Sequence, residues 1–223
     1  MPRHVGFVPA RLGSKGVPKK NRMFFDDCTT FLNSLSWIDQ VFVSSDDAIL
    51  LEEATKKGYT AMRRPSELAA DDVSIKRVVQ HDLHAMNLDQ DSFVWLFYLP
   101  LVYRKREDFD WARNIIESSN AKSWCTFIPA STHPFNCWQY FEPEGRLEQF
   151  VENSCYRRQD LPKAWMLHHY ICCFKPEVIS KLNEELVYQY TYPIFLSEAK
   201  SSLLMEVDTP EDLIKWKKRL KEN

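Results

Sequence analysis

Three cations, Arg11, Lys15 and Lys20, fall within ten residues of one another, interleaved with Gly13 and Gly16, directly after the apolar run His4 to Val8. Glycines let backbone N–H groups turn toward an anion, and lysine and arginine neutralise a polyphosphate. Such a loop straight after a first strand suits phosphate or nucleotide binding. A solvated basic turn is the other reading of the same residues. The spacing is neither the single GxxxxGK(S/T) frame of a Walker loop nor GxGxxG. The chain holds five glycines in 223 residues, against roughly sixteen at an average share of about 7%. Three of the five, Gly6, Gly13 and Gly16, lie in the first sixteen residues, which predicts a special backbone there.

A second group that could do chemistry is His168-His169 with Cys172-Cys173. In a straight strand, neighbours point to opposite faces, so the four donors would not converge and zinc is not expected there. The six cysteines, at 28, 125, 137, 155, 172 and 173, contain no CxxC pair. They read as free thiols of a cytosolic protein.

The elements that must position these residues follow from periodicity and punctuation. His4 to Val8 reads as a first strand, and Pro9 to Asn21, rich in Gly, Pro and Lys, as an irregular loop. A short helix is expected over Thr30 to Ile38 and a buried strand over Gln40 to Ser44. Asp46-Asp47 cap a helix with Ile49, Leu50 and Ala54 on one face, stopped at Gly58. A short strand over Thr60 to Arg63 and a helix from Asp72 or Ser74 to Met86 come next. Phe93 to Leu99 is a continuous apolar run, the mark of a strand buried on both faces. A helix over Glu107 to Ser119 and a strand over Ser123 to Ile128 lead into a looser stretch, about 130–163, which reads as an excursion carrying a hairpin. A strand over Tyr170 to Phe174, a helix over Pro176 to Glu185 and a last strand over Leu203 to Val207 complete the pattern. Thr209 with Pro210 then opens a final helix. Alternating strands and helices predict an α/β fold, an open and mostly parallel sheet covered on both faces, with ligands beyond the carboxyl ends of the strands. The whole chain, 1–223, reads as one domain.

The bulk numbers exclude several classes. Hydrophobic residues at 44% and charged residues at 27% are ordinary for a globular protein and rule out a fibrous or disordered chain. A net charge of −2 argues against a nucleic-acid partner. No apolar run approaches membrane-spanning length and the start shows no signal-peptide pattern, so a cytoplasmic protein without a membrane partner is expected.

The loop reads PARLGSKGVPKKN, and PAR-x-GSKG-x-P-x-KN resembles the signature of the CMP-sialic acid synthetases, the acylneuraminate cytidylyltransferases. Val43-Ser44-Ser45-Asp46 is similar to that family's strand end, and Arg64-Pro65-Ser66-Glu67-Leu68-Ala69-Ala70-Asp71 to its RP-x-E-L-A-x-D block. Glu206-Val207-Asp208-Thr209-Pro210-Glu211-Asp212-Leu213 is similar to its D-I-D-T-x-x-D-L block. The four blocks stand in order and span almost the whole chain.

The resemblance implies a GT-A-like nucleotide-diphospho-sugar transferase fold of three layers. It also implies CTP and an acidic sugar as substrates, and a place in lipopolysaccharide or capsule biosynthesis. Residue by residue, it implies a nucleotide site of Ala10, Arg11, Gly13, Ser14, Lys15, Lys20, Asn21 and Arg64, with Arg11 and Lys20 on the triphosphate and Asn21 and Arg64 near the nucleoside. It implies magnesium (Mg2+) on Glu206 and Asp208, with Asp208 central to catalysis; on a strand, residues two apart share a face, so both carboxylates could meet one hard cation. A surface acidic pair beside a helix cap is the alternative. Arg158-Gln159-Asp160-Leu161-Pro162 resembles the family's R-Q-x-L-P, which makes Arg158 a candidate clamp for the sugar carboxylate. The excursion resembles the family's dimerisation arm, which implies a homodimer.

The pattern breaks on the sugar side. Tyr98 stands where the family's L-Q-P-T-S-P-L-R has glutamine, and Trp165-Met166-Leu167-His168-His169 where it often has F-R-P-N-G. Tyr98, His168 and His169 are therefore candidate sugar-side groups for an altered acidic acceptor. A CTP-binding paralogue without acceptor chemistry, and histidines that merely fill structure, are the other readings. Arg22 to Asp39 also looks shorter than in the family, with a truncated helix.

Overall fold

A computed structural model describes residues 3–222. In chain order it contains β1 (His4–Pro9), α1 (Lys20–Ser34), β2 (Gln40–Ser45), α2 (Ala48–Lys56), β3 (Thr60–Arg63), α3 (Ile75–Met86), β4 (Phe93–Leu96) and α4 (Arg106–Ser118). These are followed by β5 (Ser123–Pro129), β6 (Trp138–Phe141), β7 (Arg146–Gln149), β8 (Trp165–Phe174), β9 (Tyr192–Phe195), α5 (Glu198–Ser201) and α6 (Pro210–Glu222). Seven strands form one sheet in the order β3-β2-β1-β4-β8-β5-β9. It is mostly parallel; β8 alone runs antiparallel to its neighbours β4 and β5.

Alternation along β1 explains the three layers. Val8 enters one apolar cluster and Val5 and Phe7 the other. The first cluster packs Phe24, Phe25, Cys28 and Leu32 of α1, Leu50 and Ala54 of α2, and Phe109, Ala112 and Ile116 of α4 against one sheet face. The second packs Val78, Val79 and Met86 of α3 with Val178 and Leu182 against the other. The helices after β1 and β2 thus lie on one face, and the helix after β3 on the opposite one. Strand order reverses between β1 and β4, and a crevice opens there beyond the carboxyl ends.

Several local expectations change. The helix expected over Thr30 to Ile38 instead spans Lys20–Ser34. Phe24, Cys28 and Leu32 recur every fourth residue and bury one stripe, which outweighs the basic, proline-rich approach. Ile49 is exposed, leaving Leu50 and Ala54 as the buried face of α2. Leu203 to Val207 is no strand; a single antiparallel bridge joins Leu101 to Glu206. The seventh strand is β9, whose YPIF run was too short and proline-bearing to stand out. Pro176–Lys181 is a 3-10 helix instead of an α-helix. The 130–163 excursion carries a small separate sheet of β6 and β7, turned at Gly145 with φ +61.

The glycine cluster works differently from the expectation. Among the described residues, only Gly58 and Gly145 are glycines with positive φ; the left-handed residue near the loop is Lys19, with φ 56. Gly13 has no atom within 4 Å of where a Cβ would stand. Gly16 is required by proximity, since a Cβ there would overlap the carbonyl oxygen of Asp208.

Candidate active site

Beyond β1 and β4 lies a cavity of about 250 Å³ lined by Arg11, Lys20, Asn21, Arg64, Tyr98, Glu206 and Asp208, with Val73, Ile75 and Val78 as an apolar wall. Residues from positions 11 to 208 therefore meet in one place. The basic loop is held from below. The Ser45 hydroxyl donates to the Ala10 carbonyl, the Leu12 N–H donates to Asp46 Oδ1 at 2.7 Å, and Asn21 Nδ2 donates to the Arg11 carbonyl at 2.7 Å. Asn21 is itself buried and ties the start of α1 to the loop. Arg22 forks onto Asp47, with Nη2 2.7 Å from Oδ1, while Asp47 caps α2. Beside Arg22, the Asp47 carboxyl titrates below the usual range.

Arg64 is a buried cation, 5% exposed. Its Nε donates to Ser44 Oγ at 3.2 Å and its Nη2 to the Ser44 carbonyl at 3.1 Å. Burial lowers its pKa. It keeps unshared N–H groups at the cavity wall, where an acceptor-rich ligand can take them.

The carboxylates Glu206 and Asp208 line the same cavity. Lys20 ion-pairs with Asp208. Glu206 retains accessible surface because the cavity is open, yet protein surrounds it on most sides. Burial and the neighbouring Asp208 push its carboxyl up to about 7. Glu206, whose proton affinity burial and Asp208 raise, lines the open cavity together with Asp208, and the two form a set of hard oxygen donors that a divalent cation fits. Their convergence comes from the bridged loop, not from a strand.

Lys15 lies outside the cavity. It and Arg11 clasp Asp71, whose carboxyl they hold below the usual range. Asp71 ends the RPSELAAD block but carried no role in the sequence reading; the signal was an acid at a fixed place opposite two loop cations. Asp46 and Ser45 were also missed as anchors. Ala10 is buried, Gly13 is exposed and Ser14 is half-buried.

The expected sugar-side residues are dispersed. Tyr98 lines the cavity, and burial pushes its phenol well above the usual value, so it is neutral. His169 stands edge-on behind it, ring centroids 5.2 Å apart. His168 accepts the Tyr170 N–H on Nδ1 at 3.1 Å and takes part in a bulge of β8. Arg158 lies in a different cavity of about 670 Å³ on the excursion, with His133, Tyr156 and Lys163. Within one chain it does not meet the nucleotide-side residues.

No family model matches the chain. It is 24% identical over 216 residues to an N-acylneuraminate cytidylyltransferase of Streptococcus agalactiae serotype V, covering 93% of this chain and 51% of that protein. The serotype III protein of the same name is 23% identical over 215 residues, with the same coverage. The chain thus spans about half the length of the curated relatives it matches. Among solved structures, a CMP:2-keto-3-deoxy-manno-octonic acid synthetase complexed with CTP superposes with TM-score 0.68 at 14% identity, over 99% of both chains. The 4-diphosphocytidyl-2C-methyl-D-erythritol synthase of Anaerococcus prevotii superposes with TM-score 0.63 at 10% identity, over 99% of this chain and 96% of that one. No helix among the described residues is long and apolar enough to cross a membrane. The chain is therefore, by sequence, a distant relative of the N-acylneuraminate cytidylyltransferases, and by fold it shares the mostly parallel α/β architecture of these two synthetases.

Proposed function

We propose that this protein is a cytidylyltransferase that activates an acidic sugar, a sialic or related nonulosonic acid, to its CMP-sugar. One observation carries the reading: Arg11, Lys20 and Arg64 line a single 250 Å³ cavity together with Glu206 and Asp208 at the strand-order reversal. The cations suit the triphosphate of CTP, and Arg64 and Asn21 suit the nucleoside end. The anomeric hydroxyl of the sugar attacks the α-phosphorus in line, the bond to pyrophosphate breaks, and the hydroxyl proton is released. Glu206 and Asp208 would hold magnesium, which supplies charge neutralisation at the reacting phosphate when bound. Lys20 leaves Asp208 for the phosphates as the nucleotide enters. Catalysis here is positioning and charge neutralisation, with no covalent protein intermediate.

Tyr98 favours a second reading, that the acceptor differs from sialic acid. A half-buried neutral phenol on the sugar side selects a different pattern of hydroxyls than an amide does. The excursion exposes Trp138, Tyr140, Leu147, Phe150 and Tyr156, which supports a homodimer in which Arg158 reaches the partner's acceptor side. The free thiols and the use of CTP support the cytoplasm as its location and surface-glycan assembly as its role.

The test is pyrophosphate release from CTP and magnesium with a panel of nonulosonic and other acidic sugars. Turnover with one of them supports the proposal. CTP binding without turnover across the panel would leave a non-catalytic paralogue. Asp208→Asn should keep the fold and lose turnover; full activity in that variant would refute the metal assignment.

A further inference from the structure

The two histidines and two cysteines of β8 do not converge as a foursome, but a bulge recombines two of them with a third strand residue. β5 and β8 pair Cys125 with Cys172 and then Thr126 with His168. Three residues of β8, His169 to Ile171, thus have no opposite number on β5. The bulge is built, not frayed. Thr126 Oγ1 donates to the Ile171 carbonyl at 3.3 Å and accepts the Ile171 N–H at 3.1 Å, and His168 Nδ1 accepts the Tyr170 N–H. Its consequence is that His169 and Cys172, which a straight strand would send to opposite faces, reach the same side. Among the described residues, Cys125, His169 and Cys172 form a group whose ligand atoms all lie within 4.8 Å of one another.

We propose that Cys125, His169 and Cys172 form a site for a soft divalent cation of the zinc class, with one coordination position left for water. The donor set is right for such a metal: two sulfurs and one imidazole, a combination that favours zinc over magnesium or calcium. Zinc–sulfur bonds of about 2.3 Å and zinc–nitrogen bonds of about 2.0–2.1 Å put tetrahedral ligand atoms roughly 3.5–3.8 Å apart. The three side chains therefore close by on the order of 1 Å, within rotamer adjustment.

The histidine is prepared for the role. Its Nε2 lies 2.9 Å from the Glu185 carbonyl, so Nε2 carries the proton and Nδ1 keeps its lone pair. A second ring nitrogen bonded to a backbone carbonyl is the outer-shell arrangement that orients metal-binding imidazoles. The carbonyl is in turn fixed, because Asn183 Oδ1 accepts the N–H groups of Glu185 and Val187, both at 3.0 Å. Both cysteines are buried. The site stands behind Tyr98, whose ring touches His169, so a ligated imidazole fixes the ring that walls the cavity. None of this rests on the cytidylyltransferase reading.

The test uses the whole chain, stripped with a chelator under reducing conditions and titrated with cobalt(II), then with zinc. One cobalt per chain is expected, with a sulfur-to-metal charge-transfer band and the visible bands of a tetrahedral centre, displaced by one equivalent of zinc. Cys125→Ser, Cys172→Ser and His169→Gln should each weaken zinc by at least about a hundredfold. Cys173→Ser and Cys155→Ser should bind as wild type. X-ray absorption of the zinc-loaded wild type should give two sulfurs and one imidazole, which needs no variant to fold. A folded wild type without tetrahedral cobalt bands, or bands unchanged in Cys125→Ser and Cys172→Ser, would overturn the proposal. So would a Cys125–Cys172 disulfide in the freshly purified protein with no metal uptake after reduction.

Discussion

Replacing Gly16 by alanine tests whether the basic loop and the acidic loop are one unit. The new Cβ overlaps the Asp208 carbonyl oxygen and lies 3.1 Å from its carbonyl carbon and 3.7 Å from Thr209 Cα. The obstacle is backbone, which cannot swing aside like a side chain. One of the two segments must therefore move by on the order of 1 Å, although each is tied to the sheet by its own hydrogen bonds. Overpacking of this kind costs about 1–3 kcal/mol of folding stability. At about 2–4 °C per kcal/mol for a chain this long, the melting temperature falls by several degrees. The larger effect falls on the site, since a misplacement of about 1 Å between reacting groups costs roughly a hundredfold in rate, or about 2.7 kcal/mol. Calorimetric titration with CTP and magnesium should show affinity weakened by about tenfold or more. Pyrophosphate release should fall by roughly a hundredfold. Gly13→Ala is the control, because open space surrounds its Cβ position and its φ is not positive. It should bind CTP as the wild type does. CTP affinity unchanged in Gly16→Ala, or an equal loss in Gly13→Ala, would refute the idea that the loop docks on the acidic turn.

His4 offers a pH test away from the site. Burial lowers its pKa, and the Trp95 indole N–H donates to its Nδ1 at 3.0 Å while Nε2 faces Glu117 at 2.9 Å. The unfolded chain takes up this proton near 6.5 and the folded one only at lower pH, so stability should fall as pH drops below about 6.5. Trp95→Phe removes the donor on Nδ1 and should raise the His4 midpoint, read by proton NMR of the ring; an unchanged midpoint would count against that hydrogen bond. Arg64→Met removes the charged donors from the buried Ser44 hydroxyl and carbonyl, the carbonyl keeping only the Ala10 N–H, and should cost about 1–3 kcal/mol in urea denaturation, together with weaker CTP binding. Arg64→Lys, a single point charge, should recover only part of either; full recovery would contradict the two-nitrogen contact. Light scattering should give a dimer for the wild type, and Trp138→Glu with Phe150→Glu should yield a monomer that keeps its far-ultraviolet circular dichroism. A monomeric wild type at micromolar concentration would reject the arm as a dimer surface.

The sequence was most legible where side-chain pattern and backbone punctuation act locally. The capped start of the last helix is present as expected: Asp212 Nα–H donates to Thr209 Oγ1 at 3.2 Å, and the Thr209 N–H donates to Asp212 Oδ2 at 3.1 Å. Asp47 caps α2, and Gly58, at φ +80, follows it. Legibility failed where long-range contacts chose the outcome. α1 begins at Lys20 because its apolar stripe finds the sheet, although the preceding residues read as loop. Glu206 and Asp208 converge because a loop bridges to Leu101, although the run before them reads as a strand. Arg158 lies by the excursion, on a stretch whose position relative to the sheet no local pattern encodes.

By itself, the sequence determined the α/β alternation, the loop after the first strand, the inventory of cations and carboxylates, and the departure at Tyr98 and His168-His169. Periodicity, capping and charge are properties of neighbours along the chain, so they can be read there. Only the tertiary structure decided that Gly16 serves close approach to Asp208, that Asp71 clasps two loop cations, and that a three-residue bulge turns His169 and Cys172 toward Cys125. These depend on register between strands and on contacts between residues far apart in sequence. A shift in strand pairing changes which side chains share a face without altering a single local preference.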